Sequence, residues 1–137
     1  MNVTEDYVSF ETAKLLKERG FPQSKDIAMA MYNETGALLN LCTNTEEYYI
    51  FEDFDEYDCV AVSLAMAMKW LREIHHLHIS TDWYYKNDPV ITDDFTIQYQ
   101  FTITSWLSPK EHFDEGWYDT HEDACKAAIK YCLENLI

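Results

Sequence analysis

Three histidines within four residues, His75, His76 and His78, form the densest group of side chains that could bind a metal. Imidazole nitrogens are common zinc ligands, and such a site needs a third ligand that converges with the others. The spacing matches no established zinc-binding pattern. Histidines at the end of a helix also interact favourably with its last carbonyls and its dipole. We therefore favour the structural role and keep a metal-dependent hydrolase built on this cluster as an alternative.

The four cysteines offer thiol chemistry, but their spacing does not support a reactive or metal-binding site. Cys125 and Cys132 lie two helical turns apart, about 10.5 Å, which is too far to bridge each other or to share a metal. Cys42 and Cys59 are expected to be buried free thiols, as is usual in the cytosol. Paired carboxylates recur, but catalysis by two carboxylates needs a pocket that raises one pKa. The sequence therefore predicts no catalytic residue, no metal and no cofactor.

Residues 46–58, EEYYIFEDFDEYD, interleave seven acidic residues with five aromatic residues. One interpretation is a solvated loop whose aromatic side chains reach into the core. The other is an acidic docking surface for a basic partner, and its sharper form is a DNA mimic that occupies a nucleic-acid enzyme. The carboxylates of this predicted surface belong to Glu46, Glu47, Glu52, Asp53, Asp55, Glu56 and Asp58.

Composition limits the remaining classes of function. The chain has 137 residues, enough for a single domain (1–137), and 10 Lys+Arg against 25 Asp+Glu give a net charge of −15. Aromatic residues make up 15% of the chain, enough to build a core, so the acidity does not indicate disorder. Nucleic-acid and anionic-membrane surfaces both attract clustered basic residues, which argues against binding to either. Without a long apolar run or a signal peptide, we expect a cytoplasmic protein.

Local signals predict the elements that must position these residues. Ser9 and Gly20 are typical of the two ends of a helix over 10–19. The turn chemistry at 33–36 predicts a hairpin of strands 27–32 and 37–42, and a third short strand is possible at 48–51. Apolar residues at helical spacing then predict a helix over 62–76 that buries Leu64, Ala67, Leu71 and Ile74.

The second half of the chain gives the clearest patterns. Alternation predicts strands over 77–85 and 95–103, the latter burying one face only. That predicted buried face consists of Phe95, Ile97, Tyr99, Phe101 and Ile103. A full apolar stripe predicts a last helix over 121–135. The order α-β-β-(β)-α-β-β-α indicates an α+β fold, in which an antiparallel sheet of about four to five strands and three helices form two layers.

Three segments, 7–21, 65–79 and 117–137, together resemble a known family. Their most characteristic parts are KWLRE at 69–73 and YDT at 118–120. The chain is similar there to small uncharacterised proteins encoded by gut bacteria of the Bacteroides group and by their phages or mobile elements. The resemblance implies a bacterial or phage cytoplasmic protein and assigns no catalytic residue.

These observations favour a non-enzymatic accessory protein that contacts another protein through an acidic aromatic surface, which suits a basic partner. The alternatives are a DNA-mimic inhibitor of a nucleic-acid enzyme and a small hydrolase using His75, His76 and His78. No direct contact with nucleic acid or membrane is expected.

Overall fold

A computed structural model of the chain describes residues 6–23, 30–40, 58–87, 90, 96–107, 111–113 and 116–137. These residues form three helices, namely α1 (Phe10–Glu18), α2 (Leu64–His75) and α3 (His121–Asn135). The six strands are β1 (Ala30–Tyr32), β2 (Leu38–Asn40), β3 (Cys59–Val60), β4 (Leu77–Tyr85), β5 (Ile97–Ser105) and β6 (Glu111–Phe113). All strand pairs are antiparallel, which confirms the predicted α+β class with three helices.

The strands divide into two three-stranded sheets, in the orders β2-β1-β3 and β4-β5-β6. They lie in two compact units of the chain, residues 1–67 and 68–137. The prediction that residues 1–137 form one domain stays a prediction. The predicted short strand at 48–51 lies outside the described residues. No helix in the described part of the chain is long and apolar enough to cross a membrane.

The first unit begins with α1, whose two ends follow the sequence signals. The Ser9 hydroxyl accepts a hydrogen bond from the Thr12 amide at 3.2 Å, which satisfies one of the donors that a helix start leaves free. Gly20 has a φ of 94°, and the amide of Phe21 donates to the carbonyl of Leu16 at 2.9 Å. This is the predicted left-handed C-terminal turn, and it brings Phe21 into the core.

The hairpin of β1 and β2 turns at residues 33–36, as predicted. The side-chain oxygen of Asn33 accepts hydrogen bonds from the amides of Thr35 and Ala37, both at 3.0 Å. Gly36 has a φ of 85°, and a Cβ there would lie 2.8 Å from the Phe10 ring, so another residue would be strained and would have to displace that ring. On its other side β1 pairs with β3, a strand that the sequence does not predict.

The second unit is a two-layer arrangement of α3 on the sheet β4-β5-β6. The Thr120 hydroxyl caps α3 by accepting a hydrogen bond from the Asp123 amide at 3.0 Å. Of the predicted stripe of α3, Cys125, Ala128, Ile129, Cys132 and Leu133 are buried, and Leu136 is half-buried. The stripe packs on the face of β5 that carries Phe101 and Ile103, both buried.

Two side chains that the sequence places in the core are exposed. Ile97, at the start of β5, is 43% exposed, and Ile74, in the last turn of α2, is 60% exposed. Periodicity identifies the face of an element on which a residue lies. It does not show how far along that face the neighbouring layer extends. Phe95 lies outside the described residues.

Candidate functional site

The predicted acidic surface falls almost entirely outside the described residues, which leaves Glu46, Glu47, Glu52, Asp53, Asp55 and Glu56 as a prediction. Asp58 is described and corrects that prediction, because it is only 8% exposed. It directly precedes β3, and its backbone carbonyl accepts a hydrogen bond from the Lys17 ammonium at 2.6 Å. Asp58 is therefore held inside the first unit and does not present an open carboxylate to a partner.

The three histidines lie in different surroundings. His75 ends α2 with its ring edge-on to Trp70, at 4.6 Å between ring centroids. His76 has a φ of 59°, and this left-handed residue breaks the helix and leads into β4. His78 is exposed on β4. Among the described residues, no three His, Cys, Asp or Glu side chains are arranged to hold a metal ion.

A histidine–cysteine pair that the sequence analysis missed lies at the start of α3. The Nε2 atom of His121 lies 3.5 Å from the Sγ atom of Cys125, one turn along the helix. The Nδ1 atom of His121 lies 2.7 Å from the hydroxyl of Thr81 on β4. The helical spacing of His121 and Cys125 could have suggested their contact. Nothing in the local sequence identifies Thr81, forty residues away.

This pair lacks the properties of a catalytic nucleophile and its base. A reactive cysteine needs an accessible thiol with a depressed pKa. Cys125 is 1% exposed, and burial together with the Glu122 carboxylate raises its pKa to about 11. The sulfur therefore carries its proton at neutral pH. The contacts of His121 connect the first turn of α3 to the middle of β4, which is a structural role.

A group of exposed apolar side chains lies at one end of the β4–β5 hairpin. This is the end that is farther from α2. Their exposed fractions run from 43 to 54%. Single apolar residues scattered over a surface are ordinary, whereas a group of them indicates an interaction site. We call this group the aromatic end, and it consists of Trp83, Tyr84, Tyr85, Ile97 and Trp117.

The lengths of the two layers explain why the aromatic end is exposed. A nine-residue strand spans about 30 Å, whereas the fifteen residues of α3 span about 22 Å. The first turn of α3 lies over Thr81 and Tyr99, since His121 contacts both. The strands continue beyond that point, and Trp83 there is 54% exposed.

The aromatic end occupies both faces of the sheet. Trp83 and Tyr85 lie on the α3 side, two residues apart, with ring centroids 5.4 Å apart. Tyr84 lies on the opposite side and meets Trp117 edge-on at 5.5 Å. Trp117 reaches that side because its neighbour Tyr118 pairs with Tyr99 of β5 through two backbone hydrogen bonds.

Acidic side chains surround the aromatic end. Asp82 is exposed on β4 directly before Trp83, and Lys86 follows the strand. The turn before α3 and the first turn of α3 add Asp119, Glu122 and Asp123. Four carboxylates against one ammonium give this part of the second unit a negative potential, in a chain whose net charge is −15.

No protein-family model, curated protein or solved structure matches the chain.

Proposed function

We propose that this protein is an accessory protein that binds another protein without catalysing a reaction, and that the aromatic end is its binding surface. The convergence of Trp83, Tyr84, Tyr85, Ile97 and Trp117 at one end of one sheet carries this proposal. Tryptophan and tyrosine dominate the energetic centres of protein interfaces, because they bury a large area at a low cost in conformational entropy. The aromatic end supplies four such side chains already held by a sheet.

The partner is a basic protein. The carboxylates around the aromatic end and the net charge of −15 attract basic surfaces and repel acidic ones. Long-range attraction of this kind raises the association rate and weakens with salt, since the screening length is about 8 Å at physiological ionic strength. The acidic segment 46–57 would strengthen the same preference.

The proposal includes a bacterial or phage origin and a cytoplasmic location. The resemblance of three segments to proteins of Bacteroides-group bacteria and their phages supports the origin. Cys59, Cys125 and Cys132 are buried free thiols, which supports a reducing compartment.

Site-specific crosslinking tests the binding surface. The photo-crosslinking amino acid benzoylphenylalanine replaces Tyr84 in one variant and Lys126, exposed on α3, in a matched control. After irradiation in cells of the source organism, we expect Tyr84 but not Lys126 to give a defined adduct with one basic protein, identified by mass spectrometry. Adducts that are the same from both positions would contradict the proposal.

Substitutions then test the energetic role, with the crosslinked protein purified as the ligand. Changing Trp83 and Trp117 to serine should raise the dissociation constant about thirtyfold or more, as expected for hot-spot residues worth at least about 2 kcal/mol. Trp106→Ser is the control, because Trp106 is 67% exposed and lies at the opposite end of β5. If the Trp83 and Trp117 substitutions weakened binding no more than Trp106→Ser does, or if neither variant lost affinity, the aromatic end would be excluded as the binding surface.

A further inference from the structure

Strand β4 is the edge of its sheet. In the sheet order β4-β5-β6, no strand in the described part of the chain pairs with the other side of β4. An edge strand presents a row of backbone N–H and C=O groups that can pair with another strand. Which residues present these groups follows from the register.

The hydrogen bonds that flank the β4–β5 ladder fix its alternation. The amide of Trp106 donates to the carbonyl of His76 at 3.1 Å, and the amide of Lys86 donates to the carbonyl of Thr96 at 2.7 Å. In both hydrogen-bonded pairs, the residue on the β4 side, His76 or Lys86, has an even number. In an antiparallel ladder, hydrogen-bonded and non-hydrogen-bonded pairs alternate. Odd-numbered residues of β4 therefore direct their backbone groups away from β5.

Strand β5 provides an independent check of this alternation. Tyr99 of β5 is the register partner of Trp83, so its backbone groups should point away from β4. They do, because the amide of Tyr99 donates to the carbonyl of Tyr118 at 2.8 Å and its carbonyl accepts from the Tyr118 amide at 2.9 Å. By the same alternation, Ile79, Thr81 and Trp83 offer their amides and carbonyls at the outer side of β4.

Among the described residues, strand β4 has few of the devices that usually prevent strand pairing, and Asp82 is its one acidic side chain. Natural sheets protect their edges with short strands, lysine, proline or bulges. The sequence of β4, LHISTDWYY, contains no lysine, proline or glycine and runs for nine residues. The opposite edge strand, β6, has three described residues. This long edge, which no described strand pairs with, and the aromatic end share Trp83.

We propose that β4 binds an extended segment of the basic partner as an additional strand of the sheet. This inference rests on the proposed function and names how the partner is held. Alternate side chains of an added strand lie on opposite faces. Those on the α3 face meet Ile79 and Trp83, which favours apolar residues. Those on the other face meet Asp82, which favours lysine or arginine.

The charge of the chain favours a basic segment over a second copy of this protein as the occupant. Two copies that paired through β4 would bring together two molecules that each carry a net charge of −15. They would also place the Asp82 carboxylates of both copies on the same face of the joined sheet. A basic segment reverses the sign of both interactions.

A labelled synthetic peptide as long as β4, with alternating lysine and valine, is the probe. A peptide of the same composition with its lysines and valines in separate blocks is the control for non-specific attraction. We expect the alternating peptide to bind at least about tenfold more tightly at physiological salt, measured by fluorescence anisotropy, because only its pattern matches the two faces. Equal binding of both peptides would overturn the proposal.

Backbone variants and hydrogen exchange test strand pairing itself. Trp83→Pro and Trp83→Ala both remove the ring, but only proline removes the outward amide, and an edge position tolerates proline. Peptide binding should be about tenfold weaker for Trp83→Pro than for Trp83→Ala. Unchanged circular dichroism spectra and melting temperatures show that both variants fold. In the wild type, bound peptide should slow exchange of the Ile79 and Thr81 amides, whereas Ser80 and Asp82, which already face β5, should not change.

The outcomes separate this inference from the proposed function. Equal peptide binding by the two variants, or no added protection at residues 79 and 81, would overturn strand addition. If the Trp83→Ser variant still failed to bind the partner identified by crosslinking, the aromatic end would remain the binding surface. Protection of the same amides at high protein concentration without peptide, together with a dimer in sedimentation, would instead identify a second copy as the occupant and overturn the basic segment.

Discussion

The Nδ1 atom of His121 lies 2.7 Å from the hydroxyl of Thr81, and this contact marks where α3 begins over the sheet. Because His121 is the first residue of α3, the helical layer begins at the middle of β4. On the covered side the sheet carries the buried Phe101 and Ile103. Beyond Thr81 it carries the aromatic end. The core and the proposed binding surface are thus two parts of the same pair of strands.

The packing of α3 predicts a large loss of stability on Leu133→Ala. Leu133 is fully buried within the stripe that covers the sheet. The change should lower the free energy of unfolding by about 2–5 kcal/mol, because it removes buried apolar area and leaves a cavity. Urea unfolding followed by circular dichroism measures this loss. Glu134→Ala, at the exposed neighbouring residue, is the control. An unchanged unfolding midpoint for Leu133→Ala would mean that α3 is peripheral.

Charge substitutions along β5 should show where the covered part of the sheet ends. Ile103→Asp should prevent folding, because it places an unpaired carboxylate where the side chain is fully buried. Ile97→Asp lies on the same face but at a position that is 43% exposed, so it should cost about 1 kcal/mol or less. Thermal unfolding compares the two variants with the wild type. Equal damage from both would mean that the covering layer extends over the aromatic end.

The contrast between Ile103 and Ile97 also shows what can be predicted from the sequence. Caps, turns and periodicity act within a few residues, and from them we predicted α3, the β4–β5 hairpin and the hairpin at Asn33. Coverage depends on where a distant helix begins over a sheet, and no local pattern encodes this. The contact between Thr81 and His121 joins two such distant elements. The aromatic end was therefore missed, although its residues lie within correctly predicted strands.

A double-mutant cycle should detect the coupling between Thr81 and His121. Thr81→Val keeps the β-branched shape and removes the hydroxyl, and His121→Ala removes the imidazole. The effects of the two changes on the free energy of unfolding should fail to add by about 0.5–1 kcal/mol, as for a solvent-accessible hydrogen bond. Additive effects within error would show that the contact contributes nothing to the stability of the fold.

The pH dependence of stability should contain a contribution from His75. Its Nε2 atom is buried and has no hydrogen-bond partner among the described residues. Burial, with a smaller effect of His76, lowers the pKa of His75 below its usual 6.5. The unfolded chain therefore takes up a proton at a higher pH than the folded chain. The stability linked to His75 is complete above about pH 6.5 and is lost as the pH falls towards the lowered pKa.

His75→Phe tests this contribution, because phenylalanine keeps a ring beside Trp70 and cannot be protonated. Between about pH 8 and about pH 5, the free energy of unfolding should fall less steeply for this variant than for the wild type. His78→Gln is the matched control, since it removes another imidazole, one that is exposed on β4. A slope for His75→Phe equal to that of the wild type would show that His75 takes up its proton equally easily in the folded and unfolded chains.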